Sequence, residues 1–253
     1  MGFIGGELGY RLLKWYTKNG IWDAMDGSAY AGKSKVRVLL GDAIMDSIRG
    51  KDVIDFGCGD GHETIELAQA GARTAVGVDL LTFRFPDAER RAREAGVSDR
   101  VRFLTAPDAL ADVIVSLDSF EHFDAPDDIL RVMASYLRPG GRVVTSFGPT
   151  WYHPLGGHSF SVFPWSHLVF TEKALLRWRG EIKTDGATKF SEVEGGLNQM
   201  TIRRFERVVA ESPFRIVHLE AVPIRRLRSV ANSLTREFTS AIVRCTLELP
   251  PVA

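Results

Sequence analysis

Short apolar segments alternate with helix-like segments along residues 51–148, and this alternation constrains the fold more than any other feature of the sequence. Segments such as VIDF and AVGV are brief, rich in β-branched residues and bounded by glycine or charge, which is typical of buried parallel strands. The segments between them carry apolar residues at helical spacing. Repeated strand–helix–strand units predict an α/β fold in which helices cover both faces of a mostly parallel sheet.

The same pattern predicts where each element begins and ends. Strands are expected at 51–57, 74–80, 101–106, 111–118, 142–148, 214–222 and 238–249. Helices are expected at 34–48, 62–72, 86–95, 125–137, 171–179, 201–211 and 225–237. Pro139-Gly140-Gly141 is predicted to form the turn that ends the helix before the fifth strand, because neither residue type continues a helix.

The regular pattern breaks after residue 150, where TWYHPLGGHSFSVFPWSH is dense in aromatic residues, histidine, glycine and proline. We interpret residues 150–200 as a lid over a substrate, with Gly156-Gly157 and Gly195-Gly196 as hinges. Residues 1–50 are interpreted as an N-terminal helical cap. Residues 51–253 then form one α/β domain that includes the lid.

The charge balance argues against a dedicated nucleic-acid-binding protein. Lysine and arginine number 32, aspartate and glutamate also number 32, and such proteins usually carry a basic excess. Two local basic clusters are interpreted as solvated helix faces, with an anionic substrate or a membrane surface as the other interpretation. They comprise Arg203, Arg204 and Arg207, and Arg225, Arg226 and Arg228.

The two cysteines and the N-terminus favour the cytoplasm. Cys58 and Cys245 are too far apart in the sequence to form a short metal-ligand pair, and nothing in the cysteine content indicates an oxidising compartment. No apolar run reaches the length of a membrane span, and the N-terminus lacks the apolar stretch and cleavage site of a signal peptide.

Residues 27–34 read GSAYAGKS, which fits the phosphate-loop pattern G-x-x-x-x-G-K-S. A phosphate loop needs a buried strand before it to aim the loop and a helix after it to supply amides. The preceding KNGIWDAMD does not resemble a strand, so we interpret the match as accidental. Lys33 and Lys35 remain candidates for the border of a ligand cleft, and a nucleotide-binding enzyme that depends on Lys33 is the alternative.

The second glycine-rich stretch, VIDFGCGDG at 53–61, has the setting that the first one lacks. A strand precedes its glycines, and a helix begins near His62. The dinucleotide fingerprint G-x-G-x-x-G would need a glycine at position 62, where histidine stands instead. The glycines fall at 57, 59 and 61, so the loop is expected to bind a different ligand.

VIDFGCGDG, followed by Asp79 at the end of the next strand, resembles motif I of the class I S-adenosylmethionine-dependent methyltransferases. ADVIVSLDSFEHF resembles the fourth-strand segment of the ubiquinone-type small-molecule methyltransferases, and LRPGGRVVTSF resembles their turn and fifth strand. The resemblance covers residues 50–148, and the last two strands by pattern. It implies a Rossmann-like, doubly wound seven-strand sheet that is parallel with one antiparallel strand.

The resemblance also implies the cofactor and its contacts. S-adenosyl-L-methionine would be the methyl donor and S-adenosyl-L-homocysteine the product. Asp55 and Gly57 would lie beside the methionine moiety, Asp79 would accept the ribose hydroxyls, and Asp108 would contact adenine. The segment between Asp108 and the fourth strand is shorter than usual, which predicts a more open adenine pocket. The predicted cofactor-binding residues are Asp55, Gly57, Cys58, Gly59, Asp79, Leu80, Asp108 and Leu117.

Three histidines are candidates for the base that an oxygen nucleophile requires, because imidazole titrates in the right range. His122 follows the fourth strand at the ligand edge of the sheet, while His153 and His158 follow the fifth strand among aromatic residues. A metal held by His153, His158 and His167 with Asp118 or Glu121 is the alternative. The spacing H-x₄-H is not a recognised zinc pattern, so we expect no metal.

The sequence therefore predicts O-methylation of a small, partly apolar metabolite with a histidine as base. Methylation of nitrogen or carbon, and a cofactor-binding protein without catalysis, are the alternatives. We expect no nucleic-acid partner and no stable membrane insertion, and a homodimer stays open.

Overall fold

The computed structural model describes residues 2–19, 32–193 and 195–251. Its strands are β1 (Asp52–Phe56), β2 (Thr74–Val78), β3 (Val101–Leu104), β4 (Ala111–Leu117), β5 (Leu137–Phe147), β6 (Arg215–Pro223) and β7 (Ser240–Glu248). The α-helices in these residues are α1 (Gly6–Tyr16), α2 (Lys35–Leu40), α3 (Ala43–Ser47), α4 (His62–Gln69), α5 (Phe85–Glu94), α6 (Pro126–Ser135), α7 (Ser166–Val169), α8 (Glu172–Arg179), α9 (Ile202–Ala210) and α10 (Arg236–Thr239).

The seven strands form one sheet in the order β3-β2-β1-β4-β5-β7-β6. The first five strands in this order, β3, β2, β1, β4 and β5, pair in parallel. Strand β7 pairs antiparallel with both β5 and β6. This arrangement confirms the predicted fold class. The strand order reverses between β1 and β4, and the crevice at the carboxyl ends of two such strands is where open α/β sheets bind ligands.

Alternate residues of β1 supply the hydrophobic cores on the two faces of the sheet. Val53 belongs to the cluster under α2–α5, while Ile54 belongs to the cluster under α6 and α9. Both side chains are buried. Because helices cover both faces, the strand is apolar at consecutive positions, which is the signal that identified it in the sequence.

A third hydrophobic cluster joins the N-terminal helix to the segment after β5. Leu13 of α1 is buried with Trp151, Phe160 and residues of α8. Gly9 allows this close approach, since a Cβ atom there would lie 3.2 Å from the Cβ of Ala174 and 2.9 Å from the Ile4 carbonyl oxygen. Helix α1 therefore packs against the segment that we interpreted as a lid.

The predicted helix at 225–237 is wrong. The chain forms a 3₁₀ helix at Arg225–Val230, a turn, and then the short α10. The Asn232 side chain accepts hydrogen bonds from the backbone N–H groups of Leu234 at 2.8 Å and Thr235 at 3.1 Å. Such bonds compete with α-helix formation, so Arg225, Arg226 and Arg228 lie on the short 3₁₀ helix and not on the face of a long α-helix.

Two other predicted boundaries are corrected by local backbone bonding. Strand β5 starts at Leu137 and runs through Pro139-Gly140-Gly141, because Gly140 donates to the Leu249 carbonyl oxygen at 3.0 Å and extends the sheet. The helical signal at 34–48 is two helices, separated at Gly41, whose φ of +84° is left-handed.

The predicted hinge at Gly156-Gly157 is a tightly packed site. A Cβ atom on Gly156 would lie 2.3 Å from the Trp151 carbonyl oxygen, and one on Gly157 would lie 2.4 Å from the Cβ of His167. Both glycines are buried. Their small size permits close packing, which argues against a hinge at this pair.

Candidate active site

The glycine-rich loop after β1 is held in a left-handed conformation. Gly57, Gly59 and Gly61 have φ values of +84°, +51° and +76°, which favour glycine. A Cβ atom on Gly61 would lie 2.5 Å from the Phe103 ring, so this end of the loop packs closely against β3. A Cβ on Gly59 would have its nearest neighbour, an Arg84 nitrogen, at 3.7 Å, so this part of the loop is open to a ligand.

Asp79, directly after β2, ties this loop to the neighbouring strand. Its Oδ2 accepts the backbone N–H of Gly59 at 2.8 Å, and its Oδ1 accepts that of Leu81 at 2.9 Å. Each carboxylate oxygen keeps a second lone pair, so the side chain still has two acceptor sites. The half-buried Asp79 therefore combines a fixed orientation with the capacity to accept two hydroxyl groups.

Asp55 lies under the same loop and is almost completely buried. The Thr64 hydroxyl donates to its Oδ2 at 2.6 Å, which links the end of β1 to α4. Burial raises the pKa of Asp55 to about 7. The hydrogen bond from Thr64 lowers the pKa, and the Glu63 carboxylate raises it further. The side chain thus supports the loop from the strand side.

The other predicted cofactor residues occupy different environments around this edge. Cys58 and Leu117 are buried, and burial raises the pKa of the Cys58 thiol, so it is no nucleophile. Leu80 is 86% exposed beside Asp79. Asp108 is an exposed residue of the loop between β3 and β4, where its carboxylate pairs with Arg102.

An ion pair that the sequence did not predict lies at the switch point. The Lys35 ammonium, at the start of α2, is 3.1 Å from the Asp118 carboxylate after β4. Burial alone would lower the pKa of Lys35, but Asp118 and Glu63 outweigh it and raise the pKa. Asp118 has a left-handed φ of +48°, and its Oδ1 is buried without a hydrogen-bond partner among the described residues.

The same short helix accounts for the end of the phosphate-loop pattern. Residues 27–31 lie outside the described part of the chain. Ser34 caps α2 by accepting the N–H of Arg37 at 3.0 Å, and its hydroxyl also donates to Glu66. Ser34 therefore serves as a helix cap, and Lys35, rather than Lys33, is the lysine that pairs with Asp118.

The rings of His122 and His158, in the segments that follow β4 and β5, have centroids 5.3 Å apart. The Nδ1 atom of His122 is 2.8 Å from the Gly196 carbonyl oxygen. A carbonyl only accepts, so Nδ1 carries a proton, and in the neutral ring the lone pair is on Nε2. Burial, followed by the nearby His122, lowers the pKa of His158 to about 3, and its Nε2 is buried without a partner in the described residues.

His153 and His167 are used differently. His153 Nδ1 accepts the backbone N–H of Leu155 at 2.9 Å, which places the proton of the neutral ring on Nε2. His167 is buried, with Nε2 2.7 Å from the Trp151 carbonyl oxygen. Burial lowers the pKa of both rings to about 4. Within the described residues, no group of three or more histidine, cysteine or acidic side chains is arranged to hold a metal ion.

Glu121 is a buried acid beside these histidines. Its Oε1 accepts the N–H of Gly148 at 2.9 Å, while Oε2 has no partner among the described residues. Burial raises the pKa of Glu121 to about 8, and the Asp118 carboxylate adds to this increase. Burial therefore favours the protonated form of Glu121, and its bond to Gly148 fixes the start of the segment that carries His158.

These residues fit S-adenosylmethionine as a ligand. The loop is open at Gly59, Asp79 presents two acceptor sites, and Asp118 keeps a buried acceptor oxygen that a ligand ammonium group would satisfy. When bound, this cofactor supplies an electrophilic methyl group on a sulfonium. Asp79 would hold its ribose, while Lys35 and Asp118 would hold its charged amino-acid end.

The fold and this site fit a methyltransferase. A family model described as a methyltransferase domain matches residues 33–219, more than half of the chain, and the chain belongs to this family. The match confirms the predicted class, a class I S-adenosylmethionine-dependent methyltransferase.

Two curated relatives are similar over part of their length. The chain is 35% identical over 133 residues to 27-O-demethylrifamycin SV methyltransferase of Amycolatopsis mediterranei (strain S699), covering 49% of this chain and 48% of that protein. It is 36% identical over 107 residues to a ubiquinone biosynthesis O-methyltransferase of Pseudomonas fluorescens (strain SBW25), covering 40% and 45%. The chain thus spans about half the length of the curated relatives it matches.

A solved structure shares the fold. The geranyl diphosphate C-methyltransferase of Streptomyces coelicolor A3(2) superimposes with a TM-score of 0.53 over 82% of this chain and 80% of that chain, at 17% identity. Over the described ranges, no helix has the length and apolar character needed to cross a membrane.

Proposed function

We propose that this protein transfers a methyl group from S-adenosylmethionine to a hydroxyl group of a small, partly apolar metabolite. The observation that carries the proposal is the position of the His122–His158 pair, which lies at the same sheet edge as the open glycine loop and Asp79. Two curated relatives support an oxygen acceptor, because one is named an O-methyltransferase and the other a methyltransferase of 27-O-demethylrifamycin SV. Methylation of nitrogen or carbon is the competing outcome.

We assign the base to His122. Its Nδ1–H is held by the Gly196 carbonyl, so the lone pair of Nε2 is available to take a proton. In the proposed step, the acceptor oxygen bonds to the methyl carbon as the carbon–sulfur bond breaks. The hydroxyl proton passes to Nε2 of His122, and S-adenosylhomocysteine is left.

His158 would position the acceptor. Its low pKa keeps the ring neutral, and its buried Nε2 lacks a partner in the described residues, so a ligand hydroxyl group would satisfy it. The aromatic side chains of the 150–200 segment would exclude water from the reaction. His153 carries its proton on Nε2 and is suited to donate a hydrogen bond rather than to act as base.

The test is a screen of small hydroxylated aromatic compounds with methyl-labelled S-adenosylmethionine, followed by identification of the methylated atom. With an acceptor in hand, His122→Gln is expected to lower kcat by about 10²–10⁴-fold, which is the range for loss of a general base. The affinity for S-adenosylhomocysteine, measured by calorimetry, should stay unchanged.

The matched control is His218→Gln, an exposed histidine of β6, which should leave kcat unchanged. Unchanged kcat in His122→Gln would remove the assigned base, and a label on nitrogen or carbon would refute O-methylation. Cofactor binding without transfer to any acceptor would favour the non-catalytic alternative. We retain the cytoplasm as the proposed location, because both cysteines are buried thiols.

A further inference from the structure

The segment between β6 and β7 carries an exposed cluster of basic and apolar side chains, which we call the basic–apolar patch. Leu234 is 85% exposed, Val230 is 53% exposed and Phe238 is 47% exposed. Arg225, Arg226 and Arg228 are exposed in the same segment. Large apolar side chains that cluster at a surface mark an interaction site more often than isolated ones do.

The arginines of the patch differ from their neighbours in having no acidic partner among the described residues. Arg236 pairs with Glu206 at 2.6 Å, and Arg244 pairs with Glu220 at 3.2 Å. In the described part of the chain, no carboxylate forms an ion pair with the three patch arginines. The patch therefore presents uncompensated positive charge next to exposed apolar groups, although the whole chain has no net charge.

The patch lies at the edge of the sheet that carries the candidate active site. Strand β6 ends at Pro223, and Ile224 donates to the Thr239 carbonyl oxygen at 2.7 Å, which closes the base of the segment. The Phe238 ring is 5.0 Å from the Tyr152 ring, measured between centroids. Tyr152 is next to His153, so the patch borders the aromatic segment over the proposed acceptor site.

We propose that the basic–apolar patch docks on a membrane surface that contains anionic lipids. Arginine side chains fit anionic headgroups, and leucine, valine and phenylalanine fit the boundary between headgroups and acyl chains. Bulk water would give the apolar side chains no favourable contact. A nucleic acid would form favourable contacts with the arginines only. Docking would place the mouth of the proposed site against the lipid layer, where partly apolar acceptors concentrate.

The test measures co-sedimentation of the purified protein with vesicles of phosphatidylcholine, with and without phosphatidylglycerol. We expect binding only to the anionic vesicles, and weaker binding at high salt, because exposed charges are screened. The triple variant Arg225→Gln/Arg226→Gln/Arg228→Gln should bind about a hundredfold more weakly, since each basic residue near an anionic surface contributes about 1 kcal/mol.

The apolar half of the patch is tested by Leu234→Ser, for which we expect about a tenfold loss of vesicle binding. Val217→Ser is its matched control, because Val217 is 50% exposed on β6, away from the patch. The control for charge is Arg93→Gln/Arg142→Gln/Arg207→Gln, which removes three exposed arginines outside the patch. Thermal unfolding of every variant checks that the fold is intact.

Equal vesicle binding by the patch variants and their controls would overturn the proposal, as would absence of binding to anionic vesicles. Self-association that the patch variants abolish, without any lipid binding, would identify the patch as a subunit interface and would also overturn it. None of these measurements depends on methyl transfer. Failure of this proposal is therefore distinguishable from failure of the proposed function.

Discussion

Asp79 combines a structural and a binding role in one side chain. Its two oxygens accept the N–H groups of Gly59 and Leu81, which orients the carboxylate before any ligand binds. Asp79→Asn keeps the shape of the side chain but replaces one acceptor oxygen by a donor. We expect the affinity for S-adenosylhomocysteine to fall by about 10–100-fold, the range for losing a hydrogen bond to a charged group.

Calorimetric titration with S-adenosylhomocysteine measures this loss directly. Asp60→Asn is the matched control, because Asp60 belongs to the same loop, with its side chain 58% exposed and 3.5 Å from Arg84. Asp60→Asn should bind the ligand as the unmodified protein does. Equal affinities for the two variants would show that Asp79 does not contact the ribose.

At the scale of elements, Glu237 connects the patch segment to helix α9. This buried carboxylate accepts the N–H groups of Ile202 at 3.0 Å and Arg203 at 2.9 Å, two donors that have no partner within the helix. Glu237→Ala leaves both donors without an acceptor. We expect the free energy of unfolding to fall by about 2 kcal/mol, as for other unsatisfied buried groups.

A graded series makes this prediction specific. Glu237→Gln retains one acceptor oxygen and should lose less stability than Glu237→Ala, as measured by urea unfolding. Glu211→Ala changes an exposed glutamate at the other end of α9 and should have little effect. Stability losses that are equal in Glu237→Ala and Glu211→Ala would contradict the proposed connection.

The regular elements were predictable because their signal is local. The apolar runs of β1, β2 and β4 identified them as buried strands. The helix expected from residue 201 is α9, and the Thr201 side chain caps it by accepting the Arg204 N–H at 3.0 Å. The segment 225–237 was mispredicted because the hydrogen bonds that the Asn232 side chain accepts from nearby backbone N–H groups override its helical composition. Local patterns do not report such competition.

Parts of the candidate site depend on contacts that no local pattern contains. The sequence located His122, His153 and His158, but only the hydrogen bonds to Gly196 and Leu155 distinguish which ring nitrogen carries the proton. The Lys35–Asp118 ion pair joins residues that are distant in the sequence. Its one sequence signal was the presence of Lys33 and Lys35 at the end of a phosphate-loop pattern that we interpreted as accidental.

Across the whole molecule, the pKa values of carboxylates shift in opposite directions at the two edges of the sheet. At the amino edge, hydrogen bonds from Arg73 lower the pKa of Asp52. Partial burial opposes this shift, and a hydrogen bond from Arg138 adds to it. At the carboxyl edge, burial raises the pKa values of Asp55 and Glu121. The amino edge is therefore stabilised by ion pairs, while the carboxyl edge retains buried acids with raised pKa values where the ligand would bind.

This asymmetry predicts how stability depends on pH. The pKa of Glu121 is about 8 in the folded protein, against a usual value of 4.5, so the folded state holds a proton that the unfolded chain releases between these values. Stability therefore falls as pH rises through this window, by at most about 1.4 kcal/mol per pH unit for one proton. Glu121→Gln has no proton to lose and keeps the acceptor oxygen for Gly148.

The difference in unfolding free energy between Glu121→Gln and the unmodified protein should therefore grow from pH 5 to pH 8 in favour of the variant. Urea unfolding at several pH values within this window measures the difference, and the titrating groups that do not interact with Glu121 cancel because both proteins contain them. Glu89→Gln changes an exposed glutamate of α5 and should give a constant difference. If the unfolding free energies of Glu121→Gln and the unmodified protein changed in parallel with pH, the prediction would be contradicted. Glu121 would then release its proton as readily in the folded state as in the unfolded chain.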